Sequence, residues 1–255
     1  MIPRILIIAG SDSGGGAGIQ ADIKTVTMLG GHAMTAITAL TAQNTLGVTG
    51  VMPVPAAFVV EQIDAVISDI GVDAVKIGMI GSPETVHAVA DRLECLSVPI
   101  VFDPVMIATS GSVLADTETI AAFERLMDLA SVVTPNLPEL EALGGEAAVL
   151  AHGCHLLAKG GHAEGDEVVD RLLSPSGPLR ELRGKRFETT STHGTGCTLA
   201  TALATGLGAG LPIEEAFEQA VSFVRIAILE APGLGQGHGP LGQQFVTDFQ
   251  YGERD

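Results

Sequence analysis

The sequence is short of positive charge. Its 13 lysines and arginines stand against 30 aspartates and glutamates, for a formal net charge of −17. No basic run reverses that sign locally, which argues against nucleic acid or an anionic membrane as a partner. Only four lysines occur, Lys24, Lys76, Lys159 and Lys185. Binding a polyanion would therefore need backbone amides, metal ions and a few well-placed cations. Cysteine is scarce as well. Cys95, Cys154 and Cys197 form no CxxC pair and cannot all pair within one chain, which fits a reduced, cytoplasmic setting. No apolar stretch reaches the roughly 18–20 uninterrupted residues of a membrane span. The apolar run near the N-terminus turns straight into a glycine loop and lacks the layout of a signal peptide. Linkers, low-complexity segments and internal repeats are also missing, so residues 1–255 are expected to form one soluble domain. At 255 residues, 46% hydrophobic and 17% charged, the chain can bury a substantial core.

What is present alternates. Ile5–Ala9 reads as a buried strand ending in glycines, and Ile19, Ile23 and Val26 then recur at helical spacing up to Gly30-Gly31. Strands are expected at 34–41, 48–54, 73–79, 99–103, 131–134 and 154–159. Helices are expected at 55–70, from the Ser82-Pro83 cap onward, and at 117–129, 138–143, 195–208 and 213–229. Residues 168–173 and 179–183, joined by Ser-Pro-Ser-Gly, read as a hairpin at one edge. Such alternation implies an α/β fold with a mainly parallel sheet covered on both faces. Ligands then sit beyond the C-terminal ends of the strands.

Five segments in those loops carry chemistry. Gly10-Ser-Asp-Ser-Gly-Gly-Gly-Ala-Gly18 either lets backbone approach a ligand closely or is only a tight turn. It is neither a Walker A loop, lacking Gly-Lys-Ser/Thr, nor GxGxxG, since Ile19 stands at the third glycine. His193-Gly-Thr-Gly-Cys197 precedes a helix of small residues. It could aim the first-turn amides at an anion, or could simply be a close-packed helix start. Asp103 and Glu139 each follow a strand, where carboxylates could hold the water shell of Mg²⁺ or merely cap a turn. Lys159 ends a strand before two glycines and could meet phosphates as a point charge, or be solvated.

Taken together, AGSDSGGGAGIQADIKT, ITALTAQNTLGV, VKIGMI, FDPVM, TPNLPE, KGGH and THGTGCTL resemble the ribokinase superfamily. More closely, they resemble its hydroxymethylpyrimidine/phosphomethylpyrimidine kinases of thiamine biosynthesis. The seven segments occur in the family's order across nearly the whole chain. The resemblance implies a ribokinase-like three-layer α/β/α fold and a cytoplasmic homodimer. It implies ATP as co-substrate with Mg²⁺, and phosphorylation of 4-amino-5-hydroxymethyl-2-methylpyrimidine and then of its monophosphate. Carried over by position, Ala17, Asp22, Gln43, Met79 and Val105 would line the pyrimidine pocket. Gln43 and Asp22 could meet the ring edge, and Met79 and Val105 its faces. Lys159, Asp103 and Glu139 would lie on the ATP side, the two acids by Mg²⁺ through water. Gly194, Thr195, Gly196 and Cys197 would form the anion hole.

Most ribokinase relatives place an aspartate base where this chain has Cys197. A thiol at a helix N-terminus is expected to have a lowered pKa and to take the hydroxyl proton. The other reading of Cys197 is a small buried hydrophobe. Cys95 and Cys154 are read as structural, and His193 as a shaper of its turn. One departure stands out: the segment between Glu139 and Lys159 is shorter than the family's, which puts a peripheral helix in question. A pyridoxine or pyridoxal kinase of the same superfamily and a non-catalytic pyrimidine-binding module are the alternatives.

Overall fold

Strand β1 (Arg4–Asp12) is apolar at every position from Ile5 to Ala9 and is fully buried there. Such a run belongs in the middle of a sheet covered on both faces. In the computed structural model, which describes residues 2–107, 111, 113–162 and 165–247, β1 does lie centrally. Helix α1 (Gly18–Met28) leads to β2 (His32–Asn44), which turns into β3 (Gly47–Pro53). Then come α2 (Ala56–Asp69), β4 (Ala74–Ile77), α3 (Pro83–Leu93), β5 (Ile100–Phe102) and α4 (Thr117–Met127). They are followed by β6 (Val132–Val133), α5 (Leu137–Ala142), α6 (Glu146–Ala151) and β7 (His155–Ala158). The chain continues through β8 (Glu167–Ser174), β9 (Gly177–Lys185), α7 (Thr195–Gly208) and α8 (Ile213–Leu229).

Among the described residues, nine strands form one sheet in the order β3-β2-β1-β4-β5-β6-β7-β8-β9. Pairing is parallel from β2 through β7 and antiparallel at the ends. The expected hairpin is β8–β9, with Leu172 opposite Arg180. A second hairpin, β2–β3, closes the other edge. Its two strands were legible, but their pairing was not.

Alternation along the strands sorts the core into two layers. Leu6 and Ile8 join Val59, Ile63, Val86, Val89, Phe123 and Leu126 of α2, α3 and α4. Ile5 and Ile7 face Val26, Leu199, Leu203, Phe217 and Phe223 of α1, α7 and α8. This is the expected three-layer α/β/α arrangement. Helix starts follow local chemistry: Ser82 Oγ accepts from the Thr85 amide, and Asp116 Oδ1 from that of Thr119. The shortened segment after Glu139 keeps its helix, as the six-residue α6. Among the described residues, no helix is long and apolar enough to cross a membrane.

Candidate active site

The parallel strands all end on one side, and the loops there carry the motifs. Two glycine segments dock against each other. A Cβ on Gly194 would lie 1.9 Å from the Gly16 carbonyl oxygen, and one on Gly16 would lie 2.4 Å from His193 Cδ2. Gly194, with φ +88°, caps α7 with no side-chain partner. Of the first-turn amides of α7, that of Thr195 is taken by the Thr192 carbonyl at 3.3 Å, while Gly196 and Cys197 lie within the turn whose amides lack an intrahelical partner. Asp12, at the end of β1, holds the other loop. Its Oδ1 accepts from the Gly14 amide at 2.8 Å, and its Oδ2 from those of Gly16 and Ala17 at 3.0 and 2.9 Å. His193 Nε2 adds a contact at 2.9 Å. Burial raises the Asp12 pKa, but His193 and the Ala17 and Gly14 amides outweigh it and hold the carboxyl below its ordinary range. Lys24 Nζ, 2.7 Å from the Gly15 carbonyl, pins the same loop.

A cation and two acids gather at the start of α7. Lys159 Nζ is 2.7 Å from Asp103 Oδ1 and 3.9 Å from Glu139 Oε2. A Cβ on Gly196 would lie 3.2 Å from Lys159 Nζ and 3.7 Å from Asp103 Oδ2, so this cluster faces the Gly196 backbone. Thr134 Oγ1 donates to Asp103 at 3.1 Å. Lys159 is not the solvated lysine of the bland reading, since only 11% of its side chain is exposed. Burial lowers its pKa, but Asp103 and Glu139 more than offset that and raise it. Glu139 has two jobs. It completes a capping box with Asn136, and burial, against the pull of Lys159, keeps its pKa high.

Beneath Cys197 lies an ion pair whose pairing the sequence does not announce. Lys76, in the middle of β4, projects to the α1 and α7 side. Its Nζ is 2.8 Å from Asp22 Oδ2, with both side chains at 0% exposure. Thr201, one turn after Cys197 on α7, donates to Asp22 Oδ1 at 2.6 Å. A Cβ on Gly78 would lie 2.9 Å from Lys76 Nζ, so the ammonium reaches toward the strand end beside the cleft. Lys76 and Asp22 each fall inside a recognised segment, VKIGMI and AGSDSGGGAGIQADIKT, but nothing in the sequence pairs them.

Three expectations need correction. Asp22 does not offer its carboxylate to a ligand ring, because both oxygens are engaged and buried. The Cys197 thiol is not lowered. Although the residue keeps some exposed surface, desolvation pushes its pKa up to about 11, against the pull of Lys76 and with Asp22 and Asp103 adding to the rise. The helix terminus is outweighed by burial among carboxylates. Of the two cysteines read as structural from apolar patterns, Cys154 is buried, but Cys95 is exposed.

The remaining site residues spread around the same cleft. The Ala17 amide is taken by Asp12, which leaves its methyl group. Met79 and Val105 are half-buried, Met79 against Gly10 and Val105 two residues beyond Asp103. Gln43 reaches from β2 to His193. An open cavity of about 740 Å³ lies between residues 187–191 and the end of α8, lined by Phe187, Thr189, Ser191, Ile228 and Leu229. Sequence reasoning missed it, since no motif marks a wall built from two distant segments.

Comparison with known proteins agrees with this geometry. The phosphomethylpyrimidine kinase family model matches residues 12–242. The hydroxymethylpyrimidine/phosphomethylpyrimidine kinase of Rhizobium meliloti is 48% identical over 253 residues, covering 92% of this chain and 95% of that protein. The chain spans about half the length of another relative, the thiamine biosynthesis bifunctional protein ThiED of Geobacter sulfurreducens. That match is 47% identical over 252 residues, 93% of this chain and 51% of that protein. Among solved structures, an ADP complex of Bacillus subtilis pyridoxal kinase superposes with a TM-score of 0.87 at 31% identity, covering 96% of this chain and 98% of that one. The phosphomethylpyrimidine kinase of Clostridium difficile gives 0.75 at 37% identity, covering 89% and 100%. A family model matching nearly the whole chain, seven motifs in order and the ribokinase-like sheet together mean that this chain belongs to the phosphomethylpyrimidine kinase family.

Proposed function

We propose that this chain is an ATP-dependent kinase that phosphorylates 4-amino-5-hydroxymethyl-2-methylpyrimidine on its hydroxyl, and then converts that monophosphate to the diphosphate. The observation that carries this reading is the convergence on Gly196 of a helix N-terminus, the Lys159 ammonium and the Asp103 carboxylate. Phosphoryl transfer needs little covalent help; it needs charge placed around the equatorial oxygens and the reactants held in line. Amides at the start of α7, those of Gly196 and Cys197 foremost, would cradle the transferred group, with Gly194 and Thr195 shaping the turn that aims them, and Lys159 would neutralise phosphate charge. The open cavity by Phe187 and Ile228, lined by both apolar and polar side chains, is where the nucleotide base would lie.

Asp103 and Glu139 suit Mg²⁺ held through water. Two carboxylates are few for a protein-only cage, but Mg²⁺ takes most of its oxygens from phosphate and water. When bound, the ion would neutralise charge on the phosphates. Ala17, Gln43, Met79 and Val105 would line the pyrimidine pocket, and Asp22 would support it from beneath through Lys76. Cys197 would receive the hydroxyl proton. With a pKa near 11 in the free protein it is a thiol at neutral pH, so acceptor binding must precede or accompany its ionisation. The chain would act as one cytoplasmic domain and as a homodimer. Leu46, Val51 and Met52, exposed at the β2–β3 edge, offer apolar surface to a second copy.

Purified protein with Mg-ATP and each acceptor tests the activity; no ADP release with either would refute it. Cys197→Ala should slow the first phosphorylation more than the second, whose acceptor oxygen is already ionised. Equal losses would make Cys197 a positioning group only. The rival acceptor is a pyridoxine-type alcohol, since a pyridoxal kinase shares the fold at 31% identity, and comparison of kcat/KM for the two alcohols decides between them.

A further inference from the structure

Lys76 carries more hydrogen-bond donors than the protein around it uses. Its side chain leaves β4 on the face that Ala74 shares with α1 and α7, opposite the face of Val75 and Ile77. It is fully buried there, and an ammonium has three N–H donors. Among the described residues Asp22 Oδ2 is its one hydrogen-bond acceptor, so two donors are unspent in a site with no solvent exposure. A buried cation with donors to spare is costly unless an anion comes to use them. The geometry says where that anion would form. Asp22 Oδ1 takes the hydroxyl of Thr201. Cys197 stands four residues before Thr201 on α7, so the two side chains share one face of that helix and the ion pair lies under the sulfur.

The charged groups that act on that sulfur are Lys76 from β4, Asp22 from α1, Asp103 beyond β5 and Lys159 beyond β7. Lys159 is already held by Asp103 and Glu139. Lys76 is the other cation, and its pull on the sulfur exceeds the push of Asp22. We propose that Lys76 is a positioning residue whose ammonium serves as counter-ion to the Cys197 thiolate, held in place by Asp22 and Thr201. The thiol proton leaves to water as the thiolate forms. The acceptor's hydroxyl proton then moves to sulfur, while its oxygen bonds the γ-phosphorus and the bridging oxygen departs with ADP. The catalytic consequence rests on the reading of Cys197 as proton acceptor, while the pairing of ammonium and thiolate does not.

The test compares the whole wild-type chain with Asp22→Asn/Lys76→Met, which removes the ammonium without stranding a charge. At pH 8, far below the Cys197 midpoint, the rate of iodoacetamide modification tracks the thiolate fraction. Read on the Cys197 peptide by mass spectrometry, that rate should fall about 3-fold or more in the variant, because the lost cation outweighs the lost carboxylate. An unchanged or faster rate overturns the proposal. Steady-state kinetics with Mg-ATP gives a second readout. Only the alcohol gives up a proton to Cys197, so kcat for the alcohol divided by kcat for the monophosphate should also fall about 3-fold or more. A loss shared equally by the two steps overturns the role in catalysis, since a merely structural pair would leave that ratio alone. If the variant does not fold, Asp22→Asn/Lys76→Gln, which keeps a hydrogen-bonded pair, is measured in its place. Wild type that releases no ADP with either acceptor refutes the substrate reading, and the modification rate then decides the counter-ion by itself.

Discussion

Replacing Lys76 by methionine keeps length and approximate volume and removes one charge. Asp22 would then be left in a site with 0% exposure, with Thr201 as its remaining partner. Removing one member of a buried ion pair costs about 3–5 kcal/mol, because the other charge stays desolvated and unpaired. A protein of ordinary stability has only about 5–15 kcal/mol to lose. Neutralising both members, in Asp22→Asn/Lys76→Met, strands no charge and should fall within about 1 kcal/mol of wild type. Urea denaturation of the wild type, both single variants and the double variant at pH 7 gives the cycle, with an expected coupling of about 3 kcal/mol or more. The pH dependence has a definite sign. The Asp22 pKa is already raised by burial, with Lys76 opposing, and removing Lys76 raises it further. A carboxyl whose folded pKa exceeds its unfolded value binds more protons in the folded state. The Lys76→Met penalty is therefore fully developed above the folded pKa and shrinks as pH falls through it. Equal losses in the single and double variants, or a penalty that does not ease on acidification, would refute the account.

Iodoacetamide modification of Cys197 in ligand-free protein should rise with pH toward a midpoint near 11. Three units below that midpoint, at pH 8, only about one thiol in a thousand is ionised; a midpoint below 9 would restore the helix-terminus argument. Gly194→Ala should abolish most turnover and cost roughly 1–3 kcal/mol in thermal or urea unfolding. Its φ of +88° and the Gly16 oxygen 1.9 Å from the added Cβ leave no room; near-wild-type activity would contradict the docking of the two glycine segments. Gly78→Ala places a methyl 2.9 Å from Lys76 Nζ and 3.2 Å from Ala9 Cβ, and should destabilise by about 1–3 kcal/mol, with wild-type stability as the contrary result.

The order and kind of elements could be read from the chain because periodicity is local. A short apolar run such as Ile5–Ala9, ending in glycines, reads as a strand buried on both faces, and Ser82-Pro83 announces a helix within four residues. The positions of Asp103, Glu139, Lys159 and Cys197 were legible for a related reason: each ends a strand or begins a helix, and parallel strands bring such ends to one side. What the chain could not disclose depends on partners far apart in it. Lys76 meets Asp22 across 54 positions, and Thr201 meets Asp22 across 179. His193 reaches Asp12 across 181. Those contacts, and the depth at which Cys197 lies among charges, decide which groups are ionised. A motif supplies the residue type and its approximate place. Solvation and the company of distant charges come only from the packed fold, and here they turned Asp22 from a ring contact into half of a buried ion pair, and an expected thiolate into a thiol.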